Sequence, residues 1–304
     1  MNILESYVRE LLRESYGMVG MSVADSLDYL TSLEGRNIIF FDTETLGFTP
    51  KHQITQIAAM VVPIVKWGEE PTVSAEFDQK TELTPESVGK LYRPESAPEP
   101  GKQRRKTYAD LLKMTQYYED EEASDPPEGL ATEEQVLQDF RDFCASVSNP
   151  VYAAHNAKFD MRMVNDRAHQ YGIPPLPKGP VLDTLQLINF FVRPALESAR
   201  EGTKMADVAK ASGAGAKVSA KLGDLAQALD IDIDNWHNAQ ADVEMMFKVL
   251  GEVVVMLRQE DQFDLEAAEA AAQRAQAKYS VTKRGVRRRE KGRKRAAKMG
   301  RETY

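Results

Sequence analysis

Four carboxylates stand in three short segments of this sequence. Asp42 and Glu44 lie in Phe41-Asp42-Thr43-Glu44-Thr45, Asp160 in His155-Asn156-Ala157-Lys158-Phe159-Asp160, and Asp242 in His237-Asn238-Ala239-Gln240-Ala241-Asp242. Carboxylates brought together repel one another unless cations sit between them. A pair of hard divalent ions resolves that repulsion, and phosphodiester hydrolases use such ions to activate water and hold the leaving oxygen. All-oxygen ligands suit Mg²⁺ or Mn²⁺ better than Zn²⁺. The set therefore points to a metal-dependent nuclease.

Each piece alone has a plainer explanation. In a chain with 47 acids, one Asp-x-Glu pair reads as a polar strand end or a cap. Asp160 and Asp242 each fall near the start of an expected helix, where a carboxylate complements the helix dipole. The combination is harder to dismiss. Asp42 and Glu44 are two apart, so on a strand they share a face. The apolar residues 38–41 before them suit a central strand buried on both sides. Two acids at the end of such a strand are costly without a counter-charge. A histidine with a pKa of about 6.5 can act as a base near neutrality. His155 and His237 both open a His-Asn-Ala-x-x-Asp segment, and spacing does not separate them. His52 and His169 read as surface or structural residues.

The elements that must position these residues follow from pattern. Ile3, Leu4, Tyr7, Val8, Leu11 and Leu12 form one stripe of a helix over residues 1–17, suited to docking on the body. A second helix is expected after Ser22, with Asp25 completing a capping pattern and Gly35 ending it. Strands are expected over 53–65 and 72–77, paired antiparallel across a turn at 67–71. Residues 79–130 read as a surface excursion with a helical patch at 108–118. Thr132, with Gln135 three residues on, caps a helix whose apolar face carries Val136, Leu137, Phe140 and Phe143. Residues 151–154 form a short strand, 161–172 a helix ended by Pro174, Pro175 and Pro177, and 181–184 open another. Residues 200–220 read as a flexible loop. Helices are expected over 222–229, 239–257 and 262–278. Early strands followed by helices give an α/β body with a mixed sheet.

Composition narrows the class. The 304 residues carry net charge −8, yet twelve basic residues and two acids fall from Lys278 onward. That tail is therefore net +10 and the rest −18. A basic tail on an acidic body reads as a nucleic-acid contact or an interaction arm. The single cysteine, Cys144, excludes an internal disulfide and reads as a buried apolar residue rather than a nucleophile. A reducing, cytoplasmic setting fits. No apolar run of about 20 residues exists, so no membrane span is expected. The charged N-terminus is unlike a signal-peptide core.

The three segments, in this order, resemble the motifs of the DnaQ-like 3′–5′ exonucleases of the DEDDh subgroup, in which the third motif carries histidine. The likeness is to the proofreading epsilon-subunit family of DNA polymerase III, within the ribonuclease H-like superfamily. It spans roughly residues 37–257, and Val181-Leu182-Asp183-Thr184 and Lys221-Leu222-Gly223-Asp224-Leu225-Ala226 look like the family's connecting segments. It implies a ribonuclease H-like mixed β-sheet flanked by helices. The chain then divides into an exonuclease domain (36–258) and two flanks read from pattern and charge, an N-terminal helical extension (1–35) and an Ala-rich helix with a basic, disordered tail (259–304). By the same likeness, Asp42, Glu44, Asp160 and Asp242 hold two Mg²⁺ or Mn²⁺, and His237 is the general base. Thr43, Thr45, Leu46, Gly47, His155 and Asn156 then meet the substrate. Phe48 belongs with that segment or with the core; Phe159 reads as core. The implied reaction is 3′–5′ exonucleolytic release of nucleoside 5′-monophosphates from a single-stranded or frayed 3′ end. DNA is the preferred polymer, RNA the alternative, and a polymerase or other replication protein a possible partner. A binding or virion-associated role through the basic tail is a further alternative. The leading helices are similar to some on proteins of large tailed phages.

Overall fold

Ile38, Ile39, Phe40 and Phe41 are fully buried in the middle of β1 (Arg36–Thr45). Alternation along the strand sends them to two different cores. Ile38 and Phe40 join one cluster, in which Phe40 meets Phe247 edge to face at 5.4 Å. Ile39 and Phe41 join the other, against Phe140 and Tyr152. The computed structural model describes residues 20–69, 72–83, 129–213, 218–232, 238–259 and 261–280. The expected helix over 1–17, most of the 79–130 excursion, its helical patch and the basic tail beyond residue 280 lie outside the described residues.

Around β1 stand β2 (Ile54–Ile64), β3 (Ala75–Lys80), β4 (Val151–Ala154) and β5 (Val181–Asp183), in the order β3-β2-β1-β4-β5. β2 pairs antiparallel with β1 and with β3, whereas β4 runs parallel to β1 and β5 parallel to β4. This is the mixed sheet expected. On one face lie α2 (Glu133–Ser146) and α3 (Ala157–Gln170), whose apolar residues fill the Phe41 cluster. On the other face α8 (Ala239–Leu257) packs against β1 and β2. α1 (Val23–Thr31) joins that face with the capping box expected of Ser22 and Asp25. The chain then passes Gly35, whose positive φ of 80° suits glycine. Helix α9, residues 265–280, holds α1 through Glu269, which accepts from Val23 N, and Gln276, which accepts from Gly20 N.

Several boundaries differ from those expected. β3 begins at Ala75 rather than 72, because Ser74 N and Oγ both donate to Val61 O before the ladder starts. Residues 181–183 do not open a helix but form β5, since Tyr152, Ala153 and Ala154 offer them a free strand edge. The helical turn α4 (Thr184–Leu187) starts after them, with Asp183 as its cap. It continues through a π-helical turn (Ile188–Val192) into α5 (Arg193–Glu197). The 200–220 stretch is not a loop throughout. Thr203 caps α6 (Lys204–Ala211), whose Met205, Ala206 and Val208 are buried. α3 starts at Ala157, four residues early, because Asn156 turns the chain directly from β4 into the helix. It ends at Gln170, before the prolines, with Gly172 at positive φ. α7 (Leu222–Ala228) and α8 fall as expected. Cys144 is fully buried in α2.

Candidate active site

The two faces of the sheet meet at the carboxyl end of β1, and the carboxylates gather there from both sides. Asp42 and Glu44 continue the Ile38–Phe40 face toward α8, whose first turn carries Asp242. One carboxylate oxygen from each of Asp42, Glu44 and Asp242 lies within 4.8 Å of the others. Thr43 points to the opposite face, where α3 begins. Its hydroxyl donates to Asp160 Oδ1 at 2.7 Å and fixes that carboxylate at the edge of the group. Asp160 is buried in the first turn of α3, so it reaches the strand end from the other side.

The electrostatics carry the cost of this gathering. Burial, and then the charges of Asp160, Glu44 and Asp242, push the Asp42 carboxyl well above the usual carboxylate range. Burial, then Asp242 and Asp160, push Glu44 up to about 7. Asp160 is also pushed up to about 7 by burial, a rise that the Thr43 hydroxyl partly offsets. Among the described residues no cationic side chain offsets the rise at any of these three. Acids whose pKa values are raised by burial and neighbouring charge are what hard divalent cations bind. The donor set fits Mg²⁺ or Mn²⁺.

The entry to α8 is held by groups that the sequence did not single out. Asn238 caps the helix by accepting from Gln240 N at 2.9 Å. Gln56, opposite Glu44 in register, donates to Asn238 Oδ1 at 3.4 Å and to Asp78 Oδ1 at 2.7 Å. A glutamine in the largely apolar β2 was the available signal. His237 lies outside the described residues, immediately before this cap.

The remaining candidates divide. Thr43 is buried and its hydroxyl is spent on Asp160. Thr45 donates to Gly47 O at 2.9 Å and so shapes the turn after β1. Leu46 is buried, and its N–H donates to Gln53 O. A Cβ at Gly47 would stand 2.8 Å from the His52 ring, so a larger residue there must displace that half-buried ring. Phe48 is not in the core: it is 86% exposed, tilted toward Phe159 at 6.4 Å, and its carbonyl accepts from Arg162. His155 lies 3.1 Å from Thr184 Oγ1, and burial lowers its pKa to about 4. Asn156 adopts a left-handed conformation (φ 73°) and makes no side-chain cap bond. Asp183 accepts from the Asn156 and Leu185 backbones, and burial raises its pKa. It therefore anchors the β4–α3 turn beside the cluster.

No protein-family model matches the chain. Over 177 residues, 57% of this chain, it is 28% identical to DNA polymerase III PolC-type of Staphylococcus haemolyticus, and over 181 residues, 58%, to that of Streptococcus suis. Each match covers 10% of the relative, so the chain spans about one tenth of the length of the curated relatives it matches. Escherichia coli exonuclease I in complex with a dT13 oligonucleotide aligns with 72% of this chain and 41% of its own, at 17% identity and a TM-score of 0.48. The nuclease domain of 3′hExo, a DEDDh family member bound to rAMP, aligns with 75% of this chain and 95% of its own, at 15% identity and a TM-score of 0.42. The sequence matches agree with the likeness to the DnaQ-like 3′–5′ exonucleases carried by the three motifs.

Proposed function

We propose that the chain is a metal-dependent 3′–5′ exonuclease that releases nucleoside 5′-monophosphates from single-stranded or frayed DNA. The observation that carries this reading is the carboxylate group at the end of β1, where Asp42, Glu44 and Asp242 converge with Asp160 beside them. Two divalent ions held by these four residues would activate the attacking water and stabilise the leaving oxygen. His237 takes the proton from that water. Its oxygen adds to the terminal phosphorus, the bond from phosphorus to the 3′ oxygen breaks, and that oxygen is protonated from solvent. The turn over residues 45–48 meets the terminal nucleotide, with the close-packed Gly47 backbone near the phosphate and exposed Phe48 against the base. His155, held neutral by burial, orients the turn into α3. The likeness to DNA polymerase III PolC-type favours DNA over RNA and a replication polymerase as partner. No helix among the described residues is long and apolar enough to cross a membrane. One buried, unpaired cysteine suits a reducing cytoplasm.

The test is digestion of end-labelled DNA and RNA, side by side, with Mg²⁺ or Mn²⁺. Mononucleotide release that needs the metal and favours the DNA 3′ end is expected. His237→Ala should slow turnover by about 10²–10⁴-fold while metal binding, followed by calorimetry, persists. Release that survives chelation of the metal would sink the reading.

A further inference from the structure

At the carboxyl ends of β4 and β5 a cavity of about 380 Å³ opens between the start of α3, the π-helical turn with α5, and α9. This is the size of a pocket that holds a small organic group. β4 and β5 lie one and two strand spacings, about 5 and 10 Å, from β1, so the cavity adjoins the carboxylates without including the three that converge. Its lining brings Lys158, Arg193 and Lys278 together from three separate elements. The chain carries net charge −8, and here three cations face one carboxylate, the Asp183 that caps α4. Arg193 has Glu197 at 3.7 Å, a long and partly exposed pair that leaves its other donors available. Tyr279 is 38% exposed and stands edge-on against buried Phe190 at 5.3 Å. The ring thus stands against a rigid neighbour in the wall of the cavity. The π-helical turn that aims Phe190 and Asn189 this way is a distortion often found at functional sites.

Cations spaced around an aromatic face match a nucleic-acid strand, in which phosphates and bases alternate. We infer that this cavity binds the single strand upstream of the terminal nucleotide, with Lys158, Arg193 and Lys278 on its phosphates and Tyr279 stacked on a base. The inference rests on the exonuclease reading and adds a second, non-catalytic nucleotide site to it. Asn156 and Lys158 open the helix that also carries Asp160, so a strand in the cavity enters the carboxylate group along the first turn of α3. Such a site makes activity depend on substrate length.

Kinetics on a single-stranded DNA twelve-mer and on a dinucleotide test this in the full chain. The wild-type kcat/KM ratio of the twelve-mer over the dinucleotide should exceed 10. Arg193→Glu combined with Lys278→Glu should lower that ratio about tenfold, and Tyr279→Ala by a similar factor. Anisotropy of a labelled twelve-mer in EDTA reads binding without cleavage. Loss of two phosphate contacts should reduce the slope of log affinity against log salt by about 1.4. Should the double reversal lower the melting temperature, Arg193→Gln with Lys278→Gln replaces it. An unchanged ratio and salt slope in well-folded variants would overturn the inference. So would variants altered only in inhibition by a mononucleotide, which would mark a product site instead. A wild type that digests neither substrate refutes the exonuclease reading, and the salt slopes in EDTA then still decide whether the cavity binds a strand.

Discussion

Two buried groups of charge in this molecule are built on opposite principles. Glu133, at the start of α2, accepts from Ile54 N at 2.8 Å, from Arg167 Nε at 2.8 Å and from the Tyr171 hydroxyl at 2.9 Å. Arg167 Nη2 adds a second bond to the same carboxylate, making a two-pronged pair that ties α2, α3 and β2 together. The charge balances and the carboxylate is satisfied. At the end of β1 the opposite holds: Asp42, Glu44, Asp160 and Asp242 converge with one hydroxyl, Thr43, bonded to Asp160. Burial, with repulsion from neighbouring carboxylates, raises the pKa of three of them. A protein that satisfies a buried acid completely at one site, and at another gathers several that burial and neighbouring charge drive toward their protonated forms, marks the second as a place for something not in the chain. Perturbed acids cluster at functional sites for this reason.

The sharpest way to break the comparison is to remove one acid from each group. Asp42→Asn should slow nucleotide release by about a thousandfold or more, roughly 4 kcal/mol of barrier. The melting temperature of the metal-free protein should stay the same or rise, because the amide replaces a carboxyl whose ionisation burial and its neighbours oppose. Glu133→Ala should do the reverse. It leaves Arg167 buried without its partner, at a cost of about 3–5 kcal/mol, and activity per folded molecule should be retained. Urea unfolding and a release assay on each variant check the pair. A destabilised Asp42→Asn, or a stable Glu133→Ala, would erase the distinction.

Much of this contrast was legible in the residues, but not all of it. The apolar run before Asp42 announced a strand buried on both faces, and the two-residue spacing put Asp42 and Glu44 on one side. The caps at Ser22 and Thr132 marked two helix starts through local hydrogen bonding that spacing alone reveals. What spacing does not carry is which elements become neighbours. Thr43 read as a substrate contact, and spacing gave no sign that its hydroxyl holds Asp160 across the sheet. Residues 181–183 read as a helix start because two apolar residues before an Asp have no period, and only the edge of β4 makes them a strand. Gln56 was hidden for the same reason, since its partners Asp78 and Asn238 come from different elements.

A gentler way to sharpen the comparison is to change pH and metal together. Glu44 and Asp160 ordinarily lose their protons near 4 in an unfolded chain, yet hold them to about 7 when folded. Between about pH 4 and pH 7 the folded state therefore binds more protons than the unfolded chain, so stability falls as pH rises through that window. The expected loss is on the order of 1–3 kcal/mol once partial exposure is allowed for, or several degrees in melting temperature. Mg²⁺ should restore most of it at pH 8 and little at pH 5, where protons already screen the group. Thermal melts at both values, with and without the metal, check this. A metal effect equal at both pH values would mean that these carboxylates are not its ligands.

The smallest effect concerns His155, which sits five residues from Asp160 yet belongs with the satisfied groups. Its ring meets Thr184 Oγ1, and burial lowers its pKa to about 4. The unfolded chain binds a proton near 6.5 that the folded protein refuses, so His155 costs stability as pH falls from about 6.5 to 4. This slope is opposite in sign to that of the carboxylates over the same range, and the two partly cancel in the wild type. His155→Gln should remove it alone, leaving a steeper fall in stability with rising pH across that range. A base this weak is poorly matched to work at neutrality. Turnover in His155→Gln should therefore stay within about tenfold of the wild type, far short of the 10²–10⁴-fold expected for loss of a general base. An NMR titration that found His155 protonating near 6.5, together with a loss of that larger size, would move the base from the third segment to the second. It would also place His155 with the groups that await a ligand, not with those the fold completes by itself.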